Sequence, residues 1–351
     1  MSGRRLAVPA GLLAAFVAVP FLSLDVPRVL PGPLDSPGTL QLLALCLVFA
    51  GAALTYDLLF GFTGLLSFGH ALYFAIGVYG MAIALTKWEW GLAPSLGFVA
   101  AVALAAPLVL GVVSLRVGGI AFAMVTLAFA QAGNVLVQKN PDGLTGGEEG
   151  LGLRVDPLPD FLVGVLNTRN LYWVALAYAV LVFAVVRFAV GSSAGHVWQA
   201  IRDNERRVEV IGLHPLPYKL AAFVLASFLA TAGGVIWVLL IGGATPEVTT
   251  TSFTLSLLVM VVLGGAGTRY GAMLGGFLYT LLDHRLGTLS GSGSIQGLPD
   301  VLRVPLSEPL FLLGSFFVLL VFFAPGGLTG LPRRLRGLRP RREPLPEESA
   351  A

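Results

Sequence analysis

The clearest pattern in the chain is a series of long apolar stretches that contain no Asp, Glu, Lys or Arg. Because an α-helix rises about 1.5 Å per residue, each stretch is long enough to cross a hydrocarbon core about 30 Å thick. Backbone polar groups in lipid must be paired within their own segment, so these stretches predict membrane-spanning helices. The uncharged stretches are residues 6–24, 36–56, 58–86, 90–115, 117–138, 220–246 and 309–332.

The pattern predicts an all-α polytopic membrane protein with about ten transmembrane helices, some of them broken and glycine-rich. Two predicted spans, 253–268 and 270–286, are short and meet at the glycine-rich residues 264–267. The sequence leaves open whether this region crosses the membrane twice or folds back. The predicted spans are 6–24, 38–57, 64–86, 92–114, 119–138, 170–187, 219–241, 253–268, 270–286 and 308–325.

A polar segment at residues 191–219 interrupts the apolar pattern. It predicts one short amphipathic helix, which Pro215 and Pro217 end before the next span. Two interpretations stay open: a helix lying at the lipid headgroups, or a plug that docks into a partner protein on the cytoplasmic side. The apolar side would carry Ile201, Val208, Val210 and Ile211, and the charged side Arg202, Glu205, Arg206 and Glu209.

The basic residues indicate an orientation, because cytoplasmic loops of membrane proteins are enriched in Lys and Arg. If the N-terminus is cytoplasmic, fifteen of the 22 basic residues lie inside. Both termini and residues 191–219 are then cytoplasmic, and the connection 139–169 is outside. In that connection, Gly146 and Gly147 predict a tight turn, either in an ordinary surface loop or in a contact with an external partner.

Composition narrows the classes of function. The chain has 351 residues, 56% of them hydrophobic, which excludes a soluble domain. Its formal charge of +3 does not indicate a nucleic-acid partner. The single cysteine, Cys46, forms no intramolecular disulfide. The N-terminal sequence MSGRR could begin a signal peptide, but Pro9, Pro20 and the lack of a clear cleavage site predict a retained first span.

Motifs for catalysis are not found. No Gly-Lys dipeptide occurs, so the chain has no P-loop for a nucleotide. The four histidines are scattered, without an HExxH sequence or a cysteine pair that would bind zinc. We therefore expect no catalytic residue, no cofactor and no metal site.

Two glycine-rich stretches, 56–80 and 261–279, are candidates for a transport path. Polar groups at membrane depth are costly unless they face protein or water, so His70 indicates a helix broken around a path. The alternative is that His70 lies near the cytoplasmic end of its span, hydrogen-bonded to a neighbouring helix. Broken segments in both halves of a chain are typical of inverted repeats around a central pathway. The candidate path residues are Ser67, Gly69, His70, Gly264 and Gly265.

Five motifs, in this order, give the chain a family resemblance. They are GLLSFGHALYFAIGVY (64–79), LTGGEEGL (144–151), AIRDNERRVEVIGL (200–213), MVVLGGAGTRYGAMLGG (260–276) and APGGLTG (324–330). The chain resembles the permease subunits of branched-chain amino acid ABC importers, specifically the larger of their two permease types. The resemblance covers residues 40–330.

The resemblance implies a cytoplasmic coupling helix that inserts into a partner ATPase. It also implies four kinds of neighbour: a homologous second permease subunit, two cytoplasmic ATP-binding subunits, an external solute-binding protein and the lipid bilayer. The residues that match the family's coupling segment, with Arg206 beside them, are Ala200, Ile201, Arg202, Asp203, Asn204, Glu205, Arg206 and Gly212.

Four positions depart from the family's pattern. Arg207 and Val208 replace small alanines in the coupling segment, which alters the surface offered to the ATPase. Asp57 stands where asparagine is common, and so places a charge near the path or near the cytoplasmic interface. Ala272 stands where proline is usual, and so makes the predicted helix break at residues 264–267 less sharp.

These observations predict a transmembrane permease domain over residues 1–332 and a basic, disordered cytoplasmic tail over 333–351. The expected location is the cell inner membrane, with several passes and both termini cytoplasmic. The expected function is ATP-driven import of branched-chain amino acids. Urea or short amides are the alternative substrates, and an ion-coupled secondary transporter that acts alone is the alternative class.

Overall fold

The computed structural model is almost entirely α-helical, which confirms the predicted fold class. It describes residues 11, 13–24, 30–162, 164, 167–290, 311, 312, 314, 315, 317, 318, 322 and 326–330. The predicted tail 333–351 lies outside the described residues, as do parts of the predicted spans 6–24 and 308–325. The number of spans in the whole chain therefore stays a prediction.

The helices follow one another with short connections. They are α1 Pro37–Asp57, α2 His70–Thr86, α3 Leu92–Ser114, α4 Gly119–Lys139, α5 Thr168–Gly191, α6 Ser193–Val210, α7 Pro215–Ile241, α8 Thr251–Gly264 and α9 Gly271–Ser290. A π-helical turn, Leu58–Phe62, extends α1. Two short strands, β1 Leu151–Gly152 and β2 Gly243–Ala244, pair antiparallel with Leu151 opposite Ala244.

Among the described residues, five helices are long and apolar enough to cross a membrane: α1 with its π turn, α3, α4, α5 and α7. Two further apolar helices, α2 and α8, are shorter. The predicted spans at these positions agree with the helix bounds to within a few residues for α1, α3 and α4. Helix α5 runs four residues further than predicted, and α7 begins four residues earlier, at Pro215.

Helix α1 lies at the centre, packed against α5, α7, α8 and α9. Helices α2 and α7 pack so closely that a Cβ at Gly77 would meet the carbonyl oxygen of Thr231, and one at Gly234 would meet that of Phe74. Such small-residue contacts are how helices approach each other in lipid, where no hydrophobic effect drives them together. Helices α3 and α4 lie at the periphery and expose much of their apolar surface.

The predicted span 64–86 is wrong at its start, because α2 begins only at His70. Residues 58–69, which we call the first break, leave the α-helix: residues 58–62 form the π turn, and residues 63–69 are not helical. Gly64 has φ +77°, which no helix accommodates. Leu65 donates its backbone N–H to Leu59 (2.8 Å), and Thr63 donates its hydroxyl to Leu58 (2.8 Å), so the chain turns out of α1 before α2 starts.

Helices α8 and α9 form an antiparallel hairpin. They join through residues 265–270, which we call the second break, and Gly265 there has φ +110°. The hydroxyl of Tyr279 on α9 donates to Ser256 on α8 (3.2 Å), each eight residues from its own end of the break. At about 1.5 Å per residue, the 14 residues of α8 span only about 21 Å, whereas the 20 of α9 span about 30 Å.

The opposite end of the molecule carries the turn predicted at Gly146 and Gly147, which the structure confirms. The side-chain oxygen of Asn140 accepts from the backbone N–H groups of Thr145 (2.9 Å) and Gly146 (3.0 Å). Nearby, Arg154 pairs with Glu89 and Asp156. The hydrogen bond to Asp156 and the charge of Glu89 raise the pKa of Arg154 above its usual range.

Candidate functional site

The two breaks meet each other beside helix α6. The fully buried Asp57, at the end of α1, accepts a hydrogen bond on Oδ1 from the backbone N–H of Gly267 in the second break (2.8 Å). A Cβ at Gly61 would lie 2.8 Å from the Cα of Gly267, closer than real contacts allow. The break segments therefore touch through backbone, and only glycine at position 61 permits that distance.

Arg202 of α6 joins this contact. Its Nη1 donates to the carbonyl oxygen of Gly61 (2.6 Å), and its charge attracts the Asp57 carboxylate. Its stem covers Gly64, where an added Cβ would lie 2.9 Å from Arg202 Cγ. A Cβ at Gly267 would lie 3.1 Å from Nη1. We call this set, Asp57, Gly61, Gly64, Arg202 and Gly267, the junction.

A segment from the end of the described chain closes the second break. The backbone N–H of Leu328 donates to Leu263 (2.9 Å), and the hydroxyl of Thr329 to the carbonyl oxygen of Gly264 (3.0 Å). Inside the break, Thr268 donates its hydroxyl to Gly265 (2.6 Å) and accepts from the backbone of Gly271 (3.1 Å). Residues from four of the five sequence motifs thus come together at one end of the molecule.

Helix α6 is not the single amphipathic helix that the sequence predicts. Asn204 has φ −165° and ψ 101°, so the helix is kinked there. The Asn204 side chain accepts from the backbone N–H of Arg207 (3.0 Å), as an N-cap residue does at a new helix start. The rotation at the kink divides the predicted apolar side: Ile201 and Val208 are buried, whereas Val210 is 83% and Ile211 72% exposed.

The buried side of α6 is anchored to the start of α7. The Trp198 indole donates to the carbonyl oxygen of Tyr218 (2.8 Å). Glu205 forms an ion pair with Lys219, whose side chain is only 8% exposed against 45% for Glu205. The predicted charged side of α6 is divided as well, because Glu205 and Arg202 form contacts with other segments of this chain, Lys219 and Gly61.

The predicted coupling residues accordingly fall into two groups. Arg202, Glu205 and the buried Ile201 make contacts within the chain, and Asn204 caps the second half of α6. The others are exposed, and of these Asp203 pairs with Arg202 (3.3 Å). The exposed set is Ala200, Asp203, Arg206 and Gly212, and the neighbouring apolar pair Val210 and Ile211 is exposed as well.

Ser67, Gly69 and His70 lie buried around the first break. His70 Nε2 hydrogen-bonds the hydroxyl of Thr55 on α1 (2.9 Å), the contact with a neighbouring helix that its second interpretation includes; a place near the cytoplasmic end stays a prediction. Two threonine hydroxyls hold the backbone: Thr126 of α4 accepts from Phe68 (3.1 Å), and Thr254 of α8 accepts from Ala71 (3.0 Å).

The structure does not bring this group together with Gly264 and Gly265. Thr254, which holds the first group, precedes Gly264 by ten residues on α8, or about 15 Å. The two breaks meet instead at Gly61 and Gly267, which the sequence interpretation did not single out.

A polar face on α4 was also missed. Gln131 is exposed eight residues before the end of α4, about 12 Å along its axis, and donates to the Thr251 hydroxyl at the start of α8 (2.5 Å). This contact places the start of α8 about 12 Å along α4 from its end, and residues 242–250 lead to it through a turn, a strand and a 3-10 helix. An amide inside an otherwise apolar run was the signal that could have indicated it.

Metal chemistry has no support from the described residues. Within them, no group of three or more His, Cys, Asp or Glu side chains lies close enough together to hold a metal ion. The buried Asp57 instead uses its carboxylate as a hydrogen-bond acceptor between two segments of backbone.

The fold and the junction define a multi-pass α-helical membrane protein in which two helix breaks are tied to a polar helix at one end. The chain belongs to the family described as the permease component of the branched-chain amino acid transport system, whose profile matches residues 38–323. It is similar to the high-affinity branched-chain amino acid transport system permease protein LivM of Escherichia coli (strain K12). The two are 26% identical over 327 residues, which cover 85% of this chain and 71% of that protein.

Two further relatives have similar descriptions. The LivM protein of Salmonella typhimurium (strain LT2) is 26% identical over 320 residues, 85% of this chain and 71% of its own length. A probable branched-chain amino acid transport permease protein LivM of Methanocaldococcus jannaschii is 25% identical over 185 residues, half of each chain. No solved structure matches the chain.

Proposed function

We propose that this chain is one membrane-spanning subunit of an ATP-driven importer of branched-chain amino acids in the cell inner membrane. The relatives are described as permeases for these substrates, which supports the substrate class. The observation that carries the mechanism is the contact of Arg202 with Gly61, because it links α6 directly to both helix breaks. The N- and C-terminal ends and α6 would face the cytoplasm.

Energy would come from two ATP-binding subunits, since this chain has no P-loop. A partner can shift a conformational equilibrium only if it binds the two conformations with different affinity. Helix α6 is suited to this role because its inner side contacts the junction while its outer side is exposed. The proposed docking surface is Ala200, Asp203, Arg206, Gly212, Val210 and Ile211.

The transport path would run along the polar face of α4 and α8, between this chain and a homologous second permease subunit. Gln131 and Ser252 are exposed polar residues of these helices, and exposed polar groups at membrane depth are costly unless they face water or a partner. Ser67, Gly69 and His70 lie one layer behind this face, held by Thr126 and Thr254. In our proposal, Ser67, Gly69 and His70 become part of the path when the breaks move, and so do Gly264 and Gly265.

An external solute-binding protein would deliver the substrate at the end that carries residues 140–152. The exposed Glu148 and Glu149 of that loop are a candidate contact for it, while the surrounding backbone is fixed by Asn140. A rigid loop with outward charges is suited to recognition by a protein partner.

The test is uptake by the assembled transporter in liposomes. The chain would be purified with its co-purifying subunits and reconstituted with internal ATP, and leucine uptake would be measured with and without the solute-binding protein. Uptake that needs both supports the proposal. ATP-dependent uptake of urea or short amides but not leucine would keep the importer and change its substrate. Leucine uptake driven by an ion gradient without ATP would overturn it.

The docking surface has a matched test. Val210→Asp with Ile211→Asp should abolish co-purification of the ATP-binding subunits, because two charges would replace the exposed apolar pair. Glu148→Arg, at the opposite end of the molecule, should leave co-purification unchanged. Equal co-purification for both variants would exclude α6 as the docking element.

A further inference from the structure

An apolar cleft of about 340 Å³ lies between α2, α3 and α4, at the end of the molecule that carries residues 140–152. Its floor is a stripe of α2 at helical spacing, Leu72, Ile76, Gly80 and Ile83, all only half-buried in the chain. Leu144, Thr145 and Thr249 close its outer end. A Cβ at Gly133 of α4 would meet Leu72, and one at Gly80 would meet Val99 of α3, so the neighbouring helices cover the stripe only in part.

The cleft is elongated. From Leu72 to Ile83 the floor rises eleven residues along α2, or about 16 Å, so the cleft extends along the helix axis. A cleft of this length and volume has room for one hydrocarbon chain. Because α2 is one of the apolar helices of the membrane domain, the long axis of the cleft runs across the leaflet, in the direction that lipid chains take.

Val102 of α3 and Leu136 of α4 both line the cleft and reach the surface, Leu136 with 59% exposed, so we place the opening between them. The neighbouring outer surface of α3 is apolar and exposed over several turns. The opening therefore faces the hydrocarbon of the bilayer. The opening lies on a different side of α4 from the exposed Gln131.

The outer rim of the cleft has the chemistry of a membrane interface. Trp88 lines the cleft and packs against Trp90 and Phe98, each with ring centroids 5.0 Å away. Half-exposed tryptophans of this kind lie at the level of the lipid headgroups. The adjacent Lys87 is exposed and has no ion-pair partner among the described residues, whereas Glu89 beside it is paired with Arg154.

We propose that this cleft is a phospholipid site. One acyl chain lies along the α2 stripe, the glycerol region sits against Trp88, and Lys87 binds the phosphate. A chain that fills the cleft gains van der Waals contacts with its walls, and the lysine adds a preference for anionic headgroups. The site stands apart from the junction and from the proposed transport path.

The test uses the assembled transporter in nanodiscs that contain a phosphatidylglycerol with a photoreactive diazirine on its acyl chain. After irradiation, peptide mass spectrometry should locate the label on α2, α3 and α4 residues that line the cleft. Val102→Phe fills the opening and should lower this labelling about tenfold. The matched control is Val109→Phe, the same change on the same helix at a residue that is 65% exposed and does not line this cleft, and it should label as the natural protein does.

A second variant does not depend on packing. Lys87→Glu, at the exposed rim, should lower labelling by phosphatidylglycerol more than labelling by a phosphatidylcholine probe with the same chain. Equal labelling of Val102→Phe and Val109→Phe would overturn the proposal. So would loss of label on addition of leucine, which would assign the cleft to a polar solute bound at the unpartnered hydroxyl of Tyr79. Label on the separate chain but not on the assembled transporter would show that the second permease covers the cleft, and would also overturn it.

Discussion

Arg202 donates a hydrogen bond of 2.6 Å from Nη1 to the backbone carbonyl oxygen of Gly61, 141 residues earlier in the chain. Gly61 in turn contacts Gly267, so one side chain of α6 touches the place where the two breaks meet. A displacement of α6 cannot leave this contact unchanged. Arg202 therefore connects α6 physically to both breaks.

The first prediction is that removing the Arg202 guanidinium uncouples transport. Hydrogen bonds from charged groups contribute about 1.5–3 kcal/mol, so Arg202→Ala should reduce ATP-dependent uptake about tenfold or more. Arg202→Lys keeps the charge but replaces the planar guanidinium fork with a compact ammonium group, and should be intermediate. Uptake is measured in liposomes at equal amounts of assembled complex.

The control for this prediction is Arg116→Ala, which removes an exposed arginine from the connection between α3 and α4. It should leave uptake unchanged. If Arg202→Ala transports as the natural protein does, the junction has no part in coupling.

The second prediction separates the charge of Asp57 from its hydrogen bond. Asp57→Asn keeps an acceptor oxygen for Gly267 and should retain most uptake. Asp57→Ala leaves that N–H without its partner, at a cost of about 1–3 kcal/mol, and should lower both thermal stability and uptake. Equal losses in the two variants would mean that the negative charge, which attracts Arg202, is the essential feature.

The third prediction concerns the close approach of the breaks. A methyl group at position 61 would overlap Asp57 Oδ1 and the backbone nitrogen of Gly267, so Gly61→Ala should force the breaks apart and abolish uptake. Gly97→Ala on α3 is the control, since a Cβ there meets nothing within 4 Å. The control should be neutral or stabilising by up to about 1 kcal/mol, because alanine favours helix. An active Gly61→Ala transporter would show that the breaks need not touch.

The fourth prediction uses the asymmetry of the Glu205–Lys219 pair. Lys219 is buried and Glu205 is half-exposed, so Glu205→Ala strands a buried ammonium group, whereas Lys219→Met leaves a carboxylate that water can reach. Glu205→Ala should therefore lower the thermal midpoint more, by the equivalent of about 1–3 kcal/mol. Combining both changes should restore much of the loss. A larger loss for Lys219→Met would contradict this account.

Sequence reasoning predicted the long spans well, because length and the absence of charge decide whether a helix can cross a bilayer. It predicted a break near Ser67 and His70 and a second at residues 264–267, since glycine and polar residues interrupt an apolar run. The limits of the breaks were less accurate. The start of α2 was placed six residues early, because Gly64 adopts a backbone conformation that composition does not reveal.

The junction itself could not be predicted. Gly61, Arg202 and Gly267 are far apart in the chain, and no local pattern relates them. In a membrane protein the lipid-facing and protein-facing sides are both apolar, so hydrophobic periodicity does not show which face packs inside. The kink at Asn204 was missed because the amphipathic pattern was read as one continuous helix, whereas the helix changes direction at that residue.

The last prediction concerns which residues meet water in the transport path. Gln131 and Leu136 are both exposed on α4, but in our proposal Gln131 faces the path and Leu136 faces lipid. Gln131→Cys should therefore react with a small charged thiol reagent, and leucine should protect it, whereas Leu136→Cys should stay unreactive. The native Cys46 is fully buried and gives no background. Ser67→Cys, one layer behind, should react only while the transporter turns over with ATP. If Gln131→Cys and Leu136→Cys behave alike, the path does not follow α4; if Ser67→Cys stays inert in every state, residues 67–70 support the path without lining it.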